Sequence, residues 1–314
     1  MKQFIRKLCL FLGLFLLSAA LVFALHFFVI GNQNLGSFQA ALLDKTARLQ
    51  SIDEPKLILI GNSNLAFGVD SQMLQDALGM PVVNMGLHGG LGNAFLENMV
   101  KLGVSEGDIV VVCHSDYDDD GTIPDPALAW ITVEMHPEFW KLIPAKAIPG
   151  MLKAYPSYLY SSVVRFLTGS PKNIPETDTS YSRAGFNGFG DVCVRGEDSF
   201  VFTEGSVVVP QVSKETVTRL NALNRYILSR GATMVVAGYP IGSGEFTPAG
   251  EEYDAFEAQL RQSLDCPVIS RFTDYFLPDS CFYDTVFHLN DEGVGLRTDQ
   301  LIADLQNWMN QETA

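Results

Sequence analysis

"LILIGNSNLAFGVD", Leu57 to Asp70, is the stretch on which the reading of this chain turns. Four apolar residues running into Gly61 have the length and composition of a buried strand. Asn62, Ser63 and Asn64 then interrupt the apolar run before Leu65 restores it. A polar step between strand and helix has two readings. Ser63 is a nucleophile presented on a strand-to-helix turn, or it belongs to a helix cap, because Ser and Asn are the favoured residues there. The local sequence leaves both open, and the rest of the chain has to decide.

Outward from this stretch, short apolar runs alternate with amphipathic ones. Lys56–Gly61, "PVVNMG", "GDIVVVCH", "ATMVVAGYP" and "CPVIS" read as strands. Ser71–Leu78, Ala94–Leu102, Ser213–Arg230, Glu251–Leu264 and Asp291–Gln311 read as helices, the last with Leu296, Leu301, Ile302, Leu305 and Trp308 at helical spacing. Apolar strands alternating with helices predict a three-layer α/β/α fold around a flavodoxin-like parallel sheet. Ligands in such sheets sit at the carboxyl ends of the strands. Ser63, Gly86, His114 and Tyr239 each follow a strand end and are expected on one rim. Residues 118–212, rich in proline and aromatics, break the alternation and read as an insertion over that rim: a lid, a substrate wall, a partner surface or a membrane-resting face.

Upstream, Leu8 to Ile30 is long enough to span a bilayer and holds no titratable residue other than Cys9 and His26. Lys2, Arg6 and Lys7 precede it, so the positive-inside rule predicts a cytoplasmic N-terminus and an extracytoplasmic remainder. A cleaved signal peptide is the competing reading, but the apolar run is longer than usual for one and continues past Ser18, Ala19 and Ala20. The expected organisation is an anchor over 1–30, a polar stalk over 31–54 and a domain over 55–314. All 36 acidic residues and all but three of the 21 basic ones follow the anchor. So acidic an exterior is a poor match for nucleic acid, for anionic headgroups or for tight binding of a polyanion. Cys113, Cys193, Cys266 and Cys281 permit three disulfide pairings or four free thiols and fit no zinc spacing.

A serine nucleophile needs a base and a group that orients the base. Of the five histidines, His288 stands in "FYDTVFHLNDEG", four residues after Asp284 and just before the final helix. An Asp so placed can accept the Nδ1 proton and leave Nε2 facing Ser63. The order of Gly-x-Ser after the first strand, Gly in "NMGLHGG" after the second, and Asp then His before the last helix resembles the SGNH hydrolases, or GDSL-type esterases. The anchor, "GNSN", "GVDS", "FNGFGD" and "DTVFHLNDEG" are more narrowly similar to a membrane-anchored branch that acylates or deacylates cell-envelope polymers, including the D-alanyl-lipoteichoic acid biosynthesis accessory proteins. The resemblance covers about Lys56–Asp116 and Ser213–Thr298. It implies Ser63 as nucleophile, His288 as base, Asp284 as its orienter, and the N–H groups of Ser63 and Gly86 as oxyanion donors. Asn62 stands where the family usually has Asp, the Asp-to-His spacing is four rather than three, and "CHSDYDDD" lacks the family's Asn. Asn93 or the Asn62 amide is then the candidate third donor.

Other motifs fail on their own chemistry. "DYDDDG" opens like a calcium loop but places Ala127 where a bidentate Glu belongs. "GGLGNAF" lacks the third Gly and the acidic residue of a dinucleotide turn. His114 and His136 read as hydrogen-bonded structural residues, and no metal or organic cofactor is expected. The expected activity is ester hydrolysis or O-acyl transfer on an acylated cell-envelope glycan or polymer. Asn62, Asn64, Asp116, Tyr117 and Tyr239 are candidate substrate contacts. The alternative is a non-catalytic accessory of the same fold that binds a cell-surface polymer or a membrane O-acyltransferase.

Overall fold

The computed structural model describes residues 1–169, 179–196 and 199–312. In chain order the main elements are α1 (Lys2–Leu25), α2 (Ala41–Ser51), β1 (Leu57–Gly61), α3 (Ser63–Ala66), α4 (Ser71–Leu78), β2 (Val82–Asn84), α5 (Asn93–Asn98) and β3 (Ile109–Cys113). There follow α6 (Pro126–Val133), α7 (Ile148–Thr168), α8 (Lys214–Ser229), β4 (Thr233–Val236), β5 (Ile241–Gly242), α9 (Gly250–Ser263), β6 (Phe276–Leu277) and α10 (Asp291–Glu312).

The strand read from Leu57–Gly61 sits inside a parallel sheet of order β2-β1-β3-β4. Its residues are all buried, yet neighbours enter different cores. Ile58, Ile60, Val110, Val112 and Met234 meet Leu42 of α2, Phe95 of α5 and Leu220 of α8. Leu57, Leu59, Val111, Cys113 and Val235 meet Leu74 of α4 and Leu301 and Leu305 of α10. Helices therefore cover both faces, which is why these strands carry no polar-apolar alternation. The fold is α/β, with the carboxyl ends of β1 and β3 aligned by the pairing of Gly61 with Cys113.

Three expectations need correction. "CPVIS" makes only a single parallel bridge, Val268 with Val236, at the open edge of β4. The helix expected over 94–102 is α-helical only through Asn98 and tightens to a 3₁₀ turn over Met99–Leu102. The segment expected as a stalk packs into the domain instead: Phe38, Leu42 and Leu49 are core residues. Lys45 of α2 is buried and donates to the carbonyls of Asn84 (2.8 Å) and Gly190 (2.5 Å), joining α2 to the end of β2 and to the "FNGFGD" loop. Polar composition suggested a solvated linker, but this lysine's ammonium is held by backbone carbonyls rather than water.

Residues 118–212 contain α6, α7 and several 3₁₀ turns, and contribute Trp130, Phe139, Leu142 and Tyr158 to the larger core. All five cysteines are free. Helix α1, continued by a π-helical turn over His26–Ile30, is long and apolar enough to cross a membrane.

Candidate active site

Asn62 ends β1's turn and caps α3: its Oδ1 accepts from the Asn64 N–H at 2.9 Å. Its Nδ2 donates to Ser115 Oγ at 2.8 Å, tying the turn to the end of β3. Ser63 is thereby the first residue of α3, and the helical reading and the presented-serine reading of this stretch describe the same turn.

The loop after β6 brings the partner groups. An antiparallel bridge between Phe282 and Leu289 closes it, and Tyr283 N–H donates to His288 O at 2.8 Å. Asp284 and His288 fall inside this closed loop. His288 Nδ1 lies 2.7 Å from Asp284 Oδ1, and His288 Nε2 lies 2.8 Å from Ser63 Oγ. The neutral tautomer consistent with both contacts carries its proton on Nδ1 and accepts the serine proton at Nε2. Phe67, one helical turn after Ser63, is fully buried and stacks on the imidazole at 4.0 Å between centroids and 8° between planes.

A residue the sequence did not single out completes the group. Tyr181 O–H donates to Asp284 Oδ2 and lies 3.3 Å from His288 Nδ1. Burial alone would raise the Asp284 carboxyl, but the hydrogen bonds from His288 and Tyr181 and the His288 charge hold it below the ordinary carboxylate value. The carboxylate is thus ionised and ready to face an imidazolium.

Behind the turn, buried polar side chains bond to one another and to the backbone. Asn64 is fully buried, bonding Cys113 O (3.0 Å) and the buried Arg297, whose guanidinium also reaches the Asn64 carbonyl. Asp191 of "FNGFGD" accepts from Ser71 N–H (3.0 Å), Ser71 Oγ (2.6 Å) and Asn84 Nδ2 (2.8 Å), fixing this loop beneath α3 and α4. Burial, partly offset by the Asp191 and Asp44 charges, pulls the Lys45 ammonium down to about 7.

Ser63, His288 and Asp284 are brought together; several other expected site residues are not. Gly86 N–H donates to Asn84 Oδ1 at 2.8 Å, turned inward against α3. A Cβ there would strike Ala66 N at 2.6 Å, so the glycine serves close packing of loop on helix. Gly89 of the same loop passes close to Asn62: a Cβ built on Gly89 would stand 3.6 Å from Asn62 Cβ. Asn93 bonds Asp116 O (2.9 Å) and Asp119 Oδ2 (3.0 Å), anchoring the acidic turn after β3. Tyr117 is fully buried against Phe256 and His114, away from solvent, and Asn64 is equally inaccessible. Neither is positioned to touch a substrate, because each fills the interior side of its turn.

Asp116 and Tyr239 do line a groove. It measures about 340 Å³, and Val207, Val209, Ile241 and Phe287 make its walls apolar. Ser115, bonded to Asn62, and Phe287, next to His288, connect it to the serine turn.

Comparison with known family models, curated proteins and solved structures finds no significant match.

What the arrangement can do therefore rests on its own geometry. A hydroxyl, an imidazole and an ionised carboxylate stand in series beside an apolar groove, which is the grouping needed to make an alkoxide-like nucleophile at neutral pH. Among the described residues no three His, Cys, Asp or Glu side chains are grouped to hold a metal.

Proposed function

We propose that this chain is a membrane-anchored, SGNH-like serine enzyme that hydrolyses or transfers an ester-linked acyl group outside the membrane. One observation carries the reading: the continuous Ser63–His288–Asp284 series, at 2.8 and 2.7 Å. In the first step His288 Nε2 takes the Ser63 proton as Oγ bonds to the ester carbonyl carbon, and the carbonyl oxygen becomes an oxyanion. The same Nε2 then returns the proton to the departing alcohol, leaving acyl-Ser63. Water completes hydrolysis; a sugar hydroxyl in its place completes transfer, and the apolar groove walls favour the latter by limiting water.

The Ser63 N–H donates to no acceptor among the described residues, and neither does the Gly89 N–H, so this pair replaces Ser63 and Gly86 as the proposed oxyanion donors. The acidic exterior favours a neutral or cationic acceptor such as an uncharged cell-envelope glycan over a polyanion. The apolar α1 and the basic residues before it support an orientation with the N-terminus in the cytoplasm and the domain outside.

The inward-turned Gly86 amide is the one observation that favours the second reading, a non-catalytic accessory that binds a polymer or a membrane O-acyltransferase. p-Nitrophenyl acetate hydrolysis by the full chain in detergent separates the two. The enzyme reading expects Ser63→Ala and His288→Ala each to fall to the background rate; equal rates for wild type and both variants would leave only the accessory reading.

A further inference from the structure

Helix α7 presents two faces of opposite character. Its inner face, through Met151, Tyr158 and Ser162, is buried. Its outer face carries Ile148, Leu152, Tyr160 and Val164, between 39% and 71% exposed, at four-residue spacing with Pro156 completing the row. Four-residue spacing stacks these side chains in one ridge along the helix, and Leu167, 75% exposed, extends it. A continuous apolar ridge of this kind is unlike the scattered apolar residues of an ordinary surface.

The inner face shows where that ridge lies. Phe23 of α1 meets Tyr155 at 5.7 Å and Trp140 at 5.9 Å between centroids, and Phe27 meets Trp140 at 5.7 Å. His26 Nδ1 bonds Tyr155 Oη at 3.1 Å. Just past the helix end, Gln33 Nε2 donates to Ser162 O (3.3 Å), and Arg165 donates to Asn34 Oδ1 (3.1 Å) while Asn34 Nδ2 donates to Glu134 Oε1 (3.1 Å). The end of the apolar span is therefore fixed to the inner face of α7 along several turns. Aromatic side chains with one apolar and one polar end collect at membrane-water boundaries, and this cluster sits where the span leaves its apolar stretch.

Charge selects the occupant. The 21 residues of α7 include Lys153 and Arg165 but no Asp or Glu, in a chain of net charge −15. A cleft of about 270 Å³ opens beside the ridge, lined by Trp130, Trp140, Ile143, Ile148, Met151 and Leu152. An apolar stripe with the exposed Lys153 beside it and no acidic residue along the helix matches the boundary between acyl chains and anionic headgroups.

We propose that the outer face of α7 lies in the outer leaflet of the bilayer, so that the domain is held against the membrane in one orientation rather than swinging from a flexible tether. This proposal rests on α1 lying in the bilayer, and the test separates the two. The full chain, with Cys9→Ala and Cys193→Ser to remove the exposed thiols, is labelled with an environment-sensitive dye at Phe28→Cys, Tyr160→Cys or Val164→Cys. Each form is placed in nanodiscs of phosphatidylethanolamine and phosphatidylglycerol with plain or brominated acyl chains. A helix lying at the acyl boundary sits about 5–10 Å deep, so labels at 160 and 164 are expected to be quenched by bromine to within about twofold of the label at 28. Quenching at 28 with none at 160 or 164 would overturn the proposal, leaving that face to a protein partner while the anchor stands. No quenching at any of the three would overturn the anchor and the proposal together.

Discussion

Replacing Tyr181 by Phe removes one oxygen atom and isolates what that oxygen does. The phenol donates to Asp284 Oδ2 while His288 occupies Oδ1, so the two carboxylate oxygens have separate donors. A hydrogen bond to a charged group contributes about 1.5–3 kcal/mol. Tyr181 is 47% exposed, so water can take the vacated position on Oδ2 and recover part of this. The residual loss is about 1 kcal/mol, which corresponds to roughly a fivefold fall in kcat/KM. The direction with pH follows from the carboxyl. Tyr181 is one of the groups holding Asp284 below its ordinary value, so its removal lets that value rise. The part of the acidic limb of the kcat/KM profile that the Asp284 carboxyl sets should then move to higher pH. Steady-state hydrolysis of p-nitrophenyl acetate across the acidic range measures both quantities. Wild-type kcat/KM with an unmoved acidic limb would refute the orienting role, and a fall beyond about a hundredfold would mean that the phenol takes part in the chemistry itself.

Two further predictions concern the support beneath the site. Truncating Phe67 to Ala empties a fully buried position beneath the imidazole; chemical denaturation in detergent should show a loss of about 3–5 kcal/mol, and kcat should fall more than KM changes. Lys45 is held at about 7 by burial against an unfolded value near 10.4, so between these limits the unfolded chain binds more protons and stability should climb as pH rises from about 7 to about 10. Lys45→Met should flatten that climb in thermal melts of the full chain, and an unchanged slope would place the titration elsewhere.

The sheet was legible because its strands are short apolar runs with helices between, and Ser71–Leu78 was read to the residue. What sequence could not reveal were features created by distant packing. On α10 the apolar spacing suggested Leu296 as a core residue, but Leu296 is exposed and Arg297 takes the inward position, where its guanidinium serves Asn64 rather than water. Burial of a cation is invisible to a pattern that scores apolar side chains. Tyr181 carries no local signal either, since its relation to Asp284 spans 103 residues through a segment without periodicity. The buried Asp191 of "FNGFGD" joins Ser71 and Asn84 across the turn, a role that spacing in the sequence does not reveal. Phe67 was within reach of sequence reasoning, being four residues after Ser63 and therefore on the same side of a helical turn. The Gly86 amide illustrates the opposite limit, because a glycine after a strand shows that backbone approaches closely without showing which way its N–H points.

The most direct measurement is covalent capture of the serine by a fluorophosphonate, followed by intact mass and peptide mapping of the full chain in detergent. An activated hydroxyl at 63 predicts a single adduct on that residue, absent in Ser63→Ala and strongly slowed in His288→Ala. Labelling that ignores the imidazole, or that falls on another residue, would contradict the claim that these two side chains, 225 positions apart, form one reactive unit.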